Sequence, residues 1–162
     1  MASASPVRAR TIRAMGDPAI MSQNLIVLPV AAQALLAFVV LFVMARARAR
    51  SQKERGQNLQ DLALASNADW NEAALKAANN YKNLFEIPVL FFAASAFALI
   101  TRTVDGWMIG LAWLFVASRV LHTIIHVTSN TVMLRGLVFM IGFVAVMAMW
   151  VLIVWRVVAT GF

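Results

Sequence analysis

Four mainly apolar runs, each close to 20 residues long, limit this chain more than any other feature. A helix rises about 1.5 Å per residue, so about 20 residues cross the ~30 Å hydrocarbon layer of a bilayer. The runs are Asn24 to Ala45, Ala77 to Ile100, Trp107 to Thr128 and Arg135 to Ala159. None alternates polar and apolar residues as a membrane strand would. Helices are then the spanning form, because a backbone in hydrocarbon must satisfy its own hydrogen bonds. The expectation is an all-α integral membrane four-helix bundle over 24–160, preceded by a disordered N-terminal tail over 1–23. The first run is read as a retained helix, since the apolar core of a signal peptide is only about 7–15 residues.

Composition agrees. The chain is 62% hydrophobic and 13% charged, whereas soluble domains are about half apolar and a quarter charged. The surplus apolar surface has to face lipid. The absence of cysteine excludes disulfides, thiolate metal sites and a cysteine nucleophile. The net charge of +7 comes from bases that flank the apolar runs, which points to membrane orientation and away from nucleic acid. Eight basic residues fall on one side of the bilayer: Arg46, Arg48, Arg50, Lys53, Arg55, Lys76, Lys82 and Arg135. Five fall on the other: Arg8, Arg10, Arg13, Arg102 and Arg156. The positive-inside rule places the first and third loops in the cytoplasm and both termini outside. A cysteine introduced at Ser129 should therefore be labelled only from the cytoplasmic side. Labelling from outside intact cells would overturn this topology.

Ionisable side chains inside a span cost roughly 2.5–3.5 kcal/mol each on insertion scales, which makes them functional candidates. Asn83 and Glu86 lie in the first turns of the second span. Arg119, His122 and His126 lie in the last turns of the third, and Arg135 opens the fourth. Topology alone brings these positions to one depth, within about 14 Å of one membrane face. Asn83 and Glu86 are three apart; Arg119, His122 and His126 are three and four apart, so each set shares a helix face. A Glu86–Arg119 ion pair is expected, because it would neutralise two costly charges. His122 and His126 fit H-x-x-x-H, which can hold zinc on one helix face. No Glu follows the first His, so the metalloprotease pattern is missing, and packing or hydrogen-bonding histidines are the preferred reading.

At these residues the chain resembles the MAPEG family, membrane-associated proteins in eicosanoid and glutathione metabolism, and its bacterial members in particular. The stretch NNYKNLFEIPVLFF resembles the family's second-helix signature, approximately N-Q-F-E-x-P-V-L-F. The stretch WLFVASRVLHTIIHVTSNTVMLRG carries the third-helix pattern R-x-x-H, then N, then R. The similarity covers most of 24–160. It implies a homotrimer of four-helix bundles, with glutathione as co-substrate in clefts between protomers on the cytoplasmic side of a bacterial inner membrane. It also implies glutathione contacts from Lys82, Asn83, Glu86, Arg119 and His122, with His126 one turn further on, and a catalytic Arg135 that approaches the thiol. An Arg from the end of the first span is expected too, from among Arg46, Arg48 and Arg50. The chain departs from the pattern at Asn79, where Arg is usual, and at His126 and Ser129, where Tyr is usual.

The resemblance implies a glutathione-dependent transferase or peroxidase acting on lipophilic electrophiles, with no metal. The alternative is a non-enzymatic membrane binding or scaffold protein on the same fold, which the departures favour. A transporter fits less well, since the polar residues gather at one end and form no path across.

Overall fold

A computed structural model describes residues 23–58, 60 and 69–160. The expected tail over 1–23 lies almost wholly outside the described residues. Five helices follow in order: α1 Val27–Arg55, α2 Glu72–Asn83, α3 Ile87–Ile100, α4 Gly106–Val127 and α5 Val132–Thr160. α2 and α3 together make the second span, so four stretches are long and apolar enough to cross a membrane. The all-α membrane bundle stands. One end of it carries the end of α1, the start of α2, the end of α4 and the start of α5. It is called the basic end below.

α1 outruns its apolar segment by ten residues, ending at Arg55 and not at Ala45. The alternating Ala and Arg of ARARAR are strong helix formers that need no apolar environment. The helix stops where Gly56 adopts φ 63. Gly56 N–H donates to Lys53 O and Gln57 N–H to Gln52 O, the Schellman arrangement that a left-handed glycine permits.

The second span is broken. α2 starts under an Asn71 cap, whose side chain accepts from Ala74 N–H at 3.0 Å. Helical geometry lapses over Leu84–Glu86 and resumes at Ile87, with Pro88 at the head of α3. Proline has no N–H to give Leu84 O, and its ring would crowd that carbonyl, so a continuous helix cannot pass this point.

α4 and α5 pack along their lengths as an antiparallel hairpin, α1 packs on α2 and α4, and α3 packs on α5. The core includes Phe91, Ala94, Ala98, Met108, Ala112, Phe115, Ala145 and Met149. Phe91 and Phe115 stack with centroids 4.5 Å apart. Lipid tails are as apolar as these side chains. The packing is therefore held by van der Waals fit, and the alanines let the backbones come close.

At the opposite end, Asp105 caps α4 by accepting from Met108 N–H at 2.9 Å. Arg156 of α5 donates to both the Asp105 carboxylate and Thr103 O. Burial alone would raise the Asp105 pKa. Hydrogen bonds from Arg156 and from the Met108 amide, with the charge of Arg156, outweigh it and hold the carboxyl below its usual value. The α4–α5 hairpin is thereby tied where it enters and leaves the membrane, away from the polar cluster.

Candidate functional site

Arg119, His122 and His126 all point inward from α4, exposed by only 1%, 4% and 2%. Their spacing of three and four residues puts them on the stripe that faces α5 and α2. Opposite them, in the second turn of α5, stands half-buried Arg135. Its carbonyl accepts from His122 Nδ1–H at 3.2 Å. Its Nη1 donates to His126 Nε2 at 3.3 Å and to Asn130 Oδ1 at 2.7 Å. An arginine only donates, so His126 presents an Nε2 lone pair; a carbonyl only accepts, so the His122 proton sits on Nδ1. Both tautomers follow from their partners. His122 and His126 meet edge to face at 5.7 Å.

Asn130 is a member of this cluster to which sequence reasoning gave no role, carrying it only as the N of the third-helix pattern. It sits in the α4–α5 link at φ 50, a left-handed conformation that Asn tolerates better than most residues. That turn aims its amide at Arg135. The signal was there to read: an Asn in a short link, five residues before the arginine that opens the next helix. Asn80 was missed too. It is fully buried on α2 and its Oδ1 accepts from Thr123 Oγ1 of α4 at 3.3 Å, which ties α2 to the same face.

The expected Glu86–Arg119 ion pair does not form. Glu86 is exposed at the α2–α3 break, while Arg119 is buried in the α4–α5 seam. The Arg119 guanidinium lies 5.4 Å from the centroid of the Phe115 ring and 4.8 Å from that of Phe139. Its Nη2 donates to Phe139 O at 3.1 Å. Its Nε and Nη1 find no hydrogen-bond partner among the described residues. Gly142 makes room for it: a Cβ there would collide with Ser118 Oγ and come 2.8 Å from Arg119 Nη2. Aromatic faces and one carbonyl thus replace the carboxylate as neighbours of this charge.

The other candidates form a second, outward group. Lys82 is exposed on the last turn of α2, Asn83 is half-buried beside it, and Glu86 follows at the break. None makes a hydrogen bond or ion pair to Arg119, His122, His126 or Arg135 within the chain. At the end of α1, Arg48 lies over the Trp70 ring at 5.0 Å. Arg50 pairs with Glu54 at 2.8 Å, and Arg46 is exposed. A cleft of about 360 Å³ lined by Asn71, Glu72, Ala73, Lys76 and Val127 opens at the basic end, next to His126 in sequence. Among the described residues, no group of three or more His, Cys, Asp or Glu is placed to hold a metal ion.

The fold and this cluster define a class: a multi-span α-helical membrane protein with histidines and arginines gathered at one end of its bundle. Within that class the chain belongs to the MAPEG family, which matches residues 26–155 and so reaches into all four spans. No curated protein and no solved structure matches the chain.

Proposed function

We propose that this protein is a glutathione-dependent transferase or peroxidase-like enzyme acting on lipophilic electrophiles, with glutathione bound at the basic end and Arg135 stabilising its thiolate. The MAPEG family is associated with glutathione in general. The observation that carries the reading is the restraint of Arg135. Asn130 and His126 both hold its Nη1, which fixes a cation at the edge of the bilayer. A thiol has a pKa near 8.5 and is mostly protonated at neutral pH; a fixed cation lowers that value, and the thiolate is the nucleophile. The bilayer concentrates the apolar partner. No protein nucleophile is required, in keeping with a chain that lacks cysteine.

The division of the candidates also bears on assembly. Lys82 and Glu86 are exposed, Asn83 is half-buried, and none of them contacts Arg135, so the two groups stand apart within one copy. A homotrimer with clefts between protomers would bring the two groups together. Gly110 and Ala117 lie on the outer face of α4, where small residues permit close helix approach, whereas Ala112 and Ser118 are used inside the protomer. Native mass spectrometry in mild detergent should show a trimer; monomers alone would remove the assembly and with it the closed site.

Thermal unfolding of the detergent-purified protein tests the ligand. Millimolar glutathione should raise the melting temperature in a concentration-dependent way, because a ligand that binds only the folded state stabilises it by RT ln(1 + [L]/Kd). No shift, together with no conjugation of a generic electrophile, would end the enzymatic reading. A non-enzymatic membrane binding or scaffold role would then hold, as Asn79, His126 and Ser129 in place of Arg and Tyr suggest.

A further inference from the structure

α1 has two opposite stripes with different fates. Pro29, Gln33, Val40 and Ser51 are buried against the rest of the bundle. On the other side lie Leu35, Val39 and Phe42, exposed by 64%, 49% and 70%. At 100° per residue the outer stripe continues through Arg46, Arg50 and Lys53, all exposed. Exposed apolar residues thus pass into basic ones along one continuous face.

Helix length fixes the depth of the change. α1 has 29 residues, about 43 Å at ~1.5 Å per residue, against ~30 Å of hydrocarbon. With Val27 at one boundary, about 20 residues bring the helix to the other boundary at Arg46. The headgroup layer is roughly 5–7 Å thick on each side, so it spans Arg46 to Arg50, with Lys53 just beyond. Glu54 engages Arg50 Nε and also accepts from Asn71 Nδ2 at 2.9 Å, so Arg50 is partly neutralised. Arg46 and Lys53 make no ion pair among the described residues. Arg48 and Arg55 face the other way, toward Trp70.

We propose that this stripe is an anionic-phospholipid site: acyl chains lie along Leu35, Val39 and Phe42, and the phosphate of the headgroup rests on Arg46 and Arg50, with Lys53 at its outer edge. Charge decides the headgroup. A zwitterionic lipid brings its own cation to a surface that already has an excess of them, whereas an anionic one is attracted by each basic side chain at the headgroup level. Apolar length decides that the ligand is a lipid and not a soluble phosphate.

Native mass spectrometry of the full chain tests this, with protein purified in detergent and supplied with equal amounts of phosphatidylglycerol and phosphatidylcholine. The wild type should retain phosphatidylglycerol preferentially. R46Q should reduce that preference about fivefold, in line with the worth of one juxtamembrane base. The triple variant R46Q/R50Q/K53Q should abolish it, while R102Q, at the opposite end, should keep it. All four positions are exposed, and circular dichroism with size-exclusion elution checks that each variant is folded. Glycerol phosphate at the lipid's concentration should not compete; equal competition would assign the site to soluble phosphate. Arg46 and Arg50 are also candidate glutathione contacts, so millimolar glutathione is added as a competitor: lipid that stays bound supports this inference, and lipid displaced by glutathione overturns it while leaving the proposed function standing. Equal retention of both lipids by the wild type, or unchanged preference in the triple variant, overturns the proposal.

Discussion

Arg135→Ala should lower glutathione conjugation by about 10²–10³-fold, the usual loss when one preorganised charge-stabilising group is removed from an active site. Stability should change by no more than about 1 kcal/mol. Arg135 is only half-buried at the mouth of the bundle, and the hydrogen bonds lost are those to Asn130 and His126. The pH profile identifies the cause. In the wild type the cation lowers the thiol pKa, so the thiolate is populated below pH 8.5; without it the value returns toward 8.5, and residual activity should rise steeply between pH 7 and 9. Asn130→Gly refines the test, since glycine keeps the left-handed turn at φ 50 and removes only the amide that holds Nη1. It should give a smaller loss of activity in the same direction at nearly normal stability. A conjugation rate unchanged in Arg135→Ala would leave an enzyme without this catalytic residue.

Arg119 should behave in the reverse way. A buried guanidinium with Nε and Nη1 unsatisfied and no carboxylate beside it carries a desolvation cost that two aromatic faces and one carbonyl only partly offset. Arg119→Ala should cost about 2–4 kcal/mol, mainly through the cavity left between Phe115 and Phe139. Arg119→Met fills most of that volume without the charge, so it should recover the loss and leave the protein at least as stable as the wild type. If Arg119 contributes to glutathione binding, Arg119→Met should also lose the glutathione-induced rise in melting temperature, a gain in stability at the expense of function. Glu86→Gln should be neutral for stability, because no partner is orphaned. Denaturation in detergent micelles measures all three. Arg119→Met as unstable as Arg119→Ala would mean that the charge itself holds the fold.

The spans were legible because hydrocarbon thickness fixes their length; the third differs from expectation by one residue at each end. The errors fall where hydropathy stops carrying information. ARARAR reads as a loop on a hydropathy scale yet is helical by propensity, so α1 runs to Arg55. Pro88 was visible within the second span, but hydropathy alone runs through it; the break at Leu84–Glu86 follows from the missing N–H and the crowded Leu84 carbonyl. The inward cluster of Arg119, His122 and His126 with Arg135 was legible because helix periodicity and topology determine depth and face together. The Glu86–Arg119 pair was not, because equal depth does not fix azimuth: two side chains at one level of a bundle can point away from each other, as these do. Asn130 escaped because its role depends on a backbone conformation, which residue type only suggests.

The break in the second span sets a condition on this protein before any chemistry begins. α3 has 14 residues, about 21 Å, so if Ile100 sits at one hydrocarbon boundary, Glu86 lies roughly 9 Å inside the other. A copy dispersed among lipids would hold an exposed carboxylate, with an interrupted backbone beside it, at a depth where acyl chains offer no solvation. Such a copy draws water into the bilayer around that carboxylate. If the proposed homotrimer covers this carboxylate, an unassembled subunit is chemically distinguishable from an assembled one by its exposure to lipid.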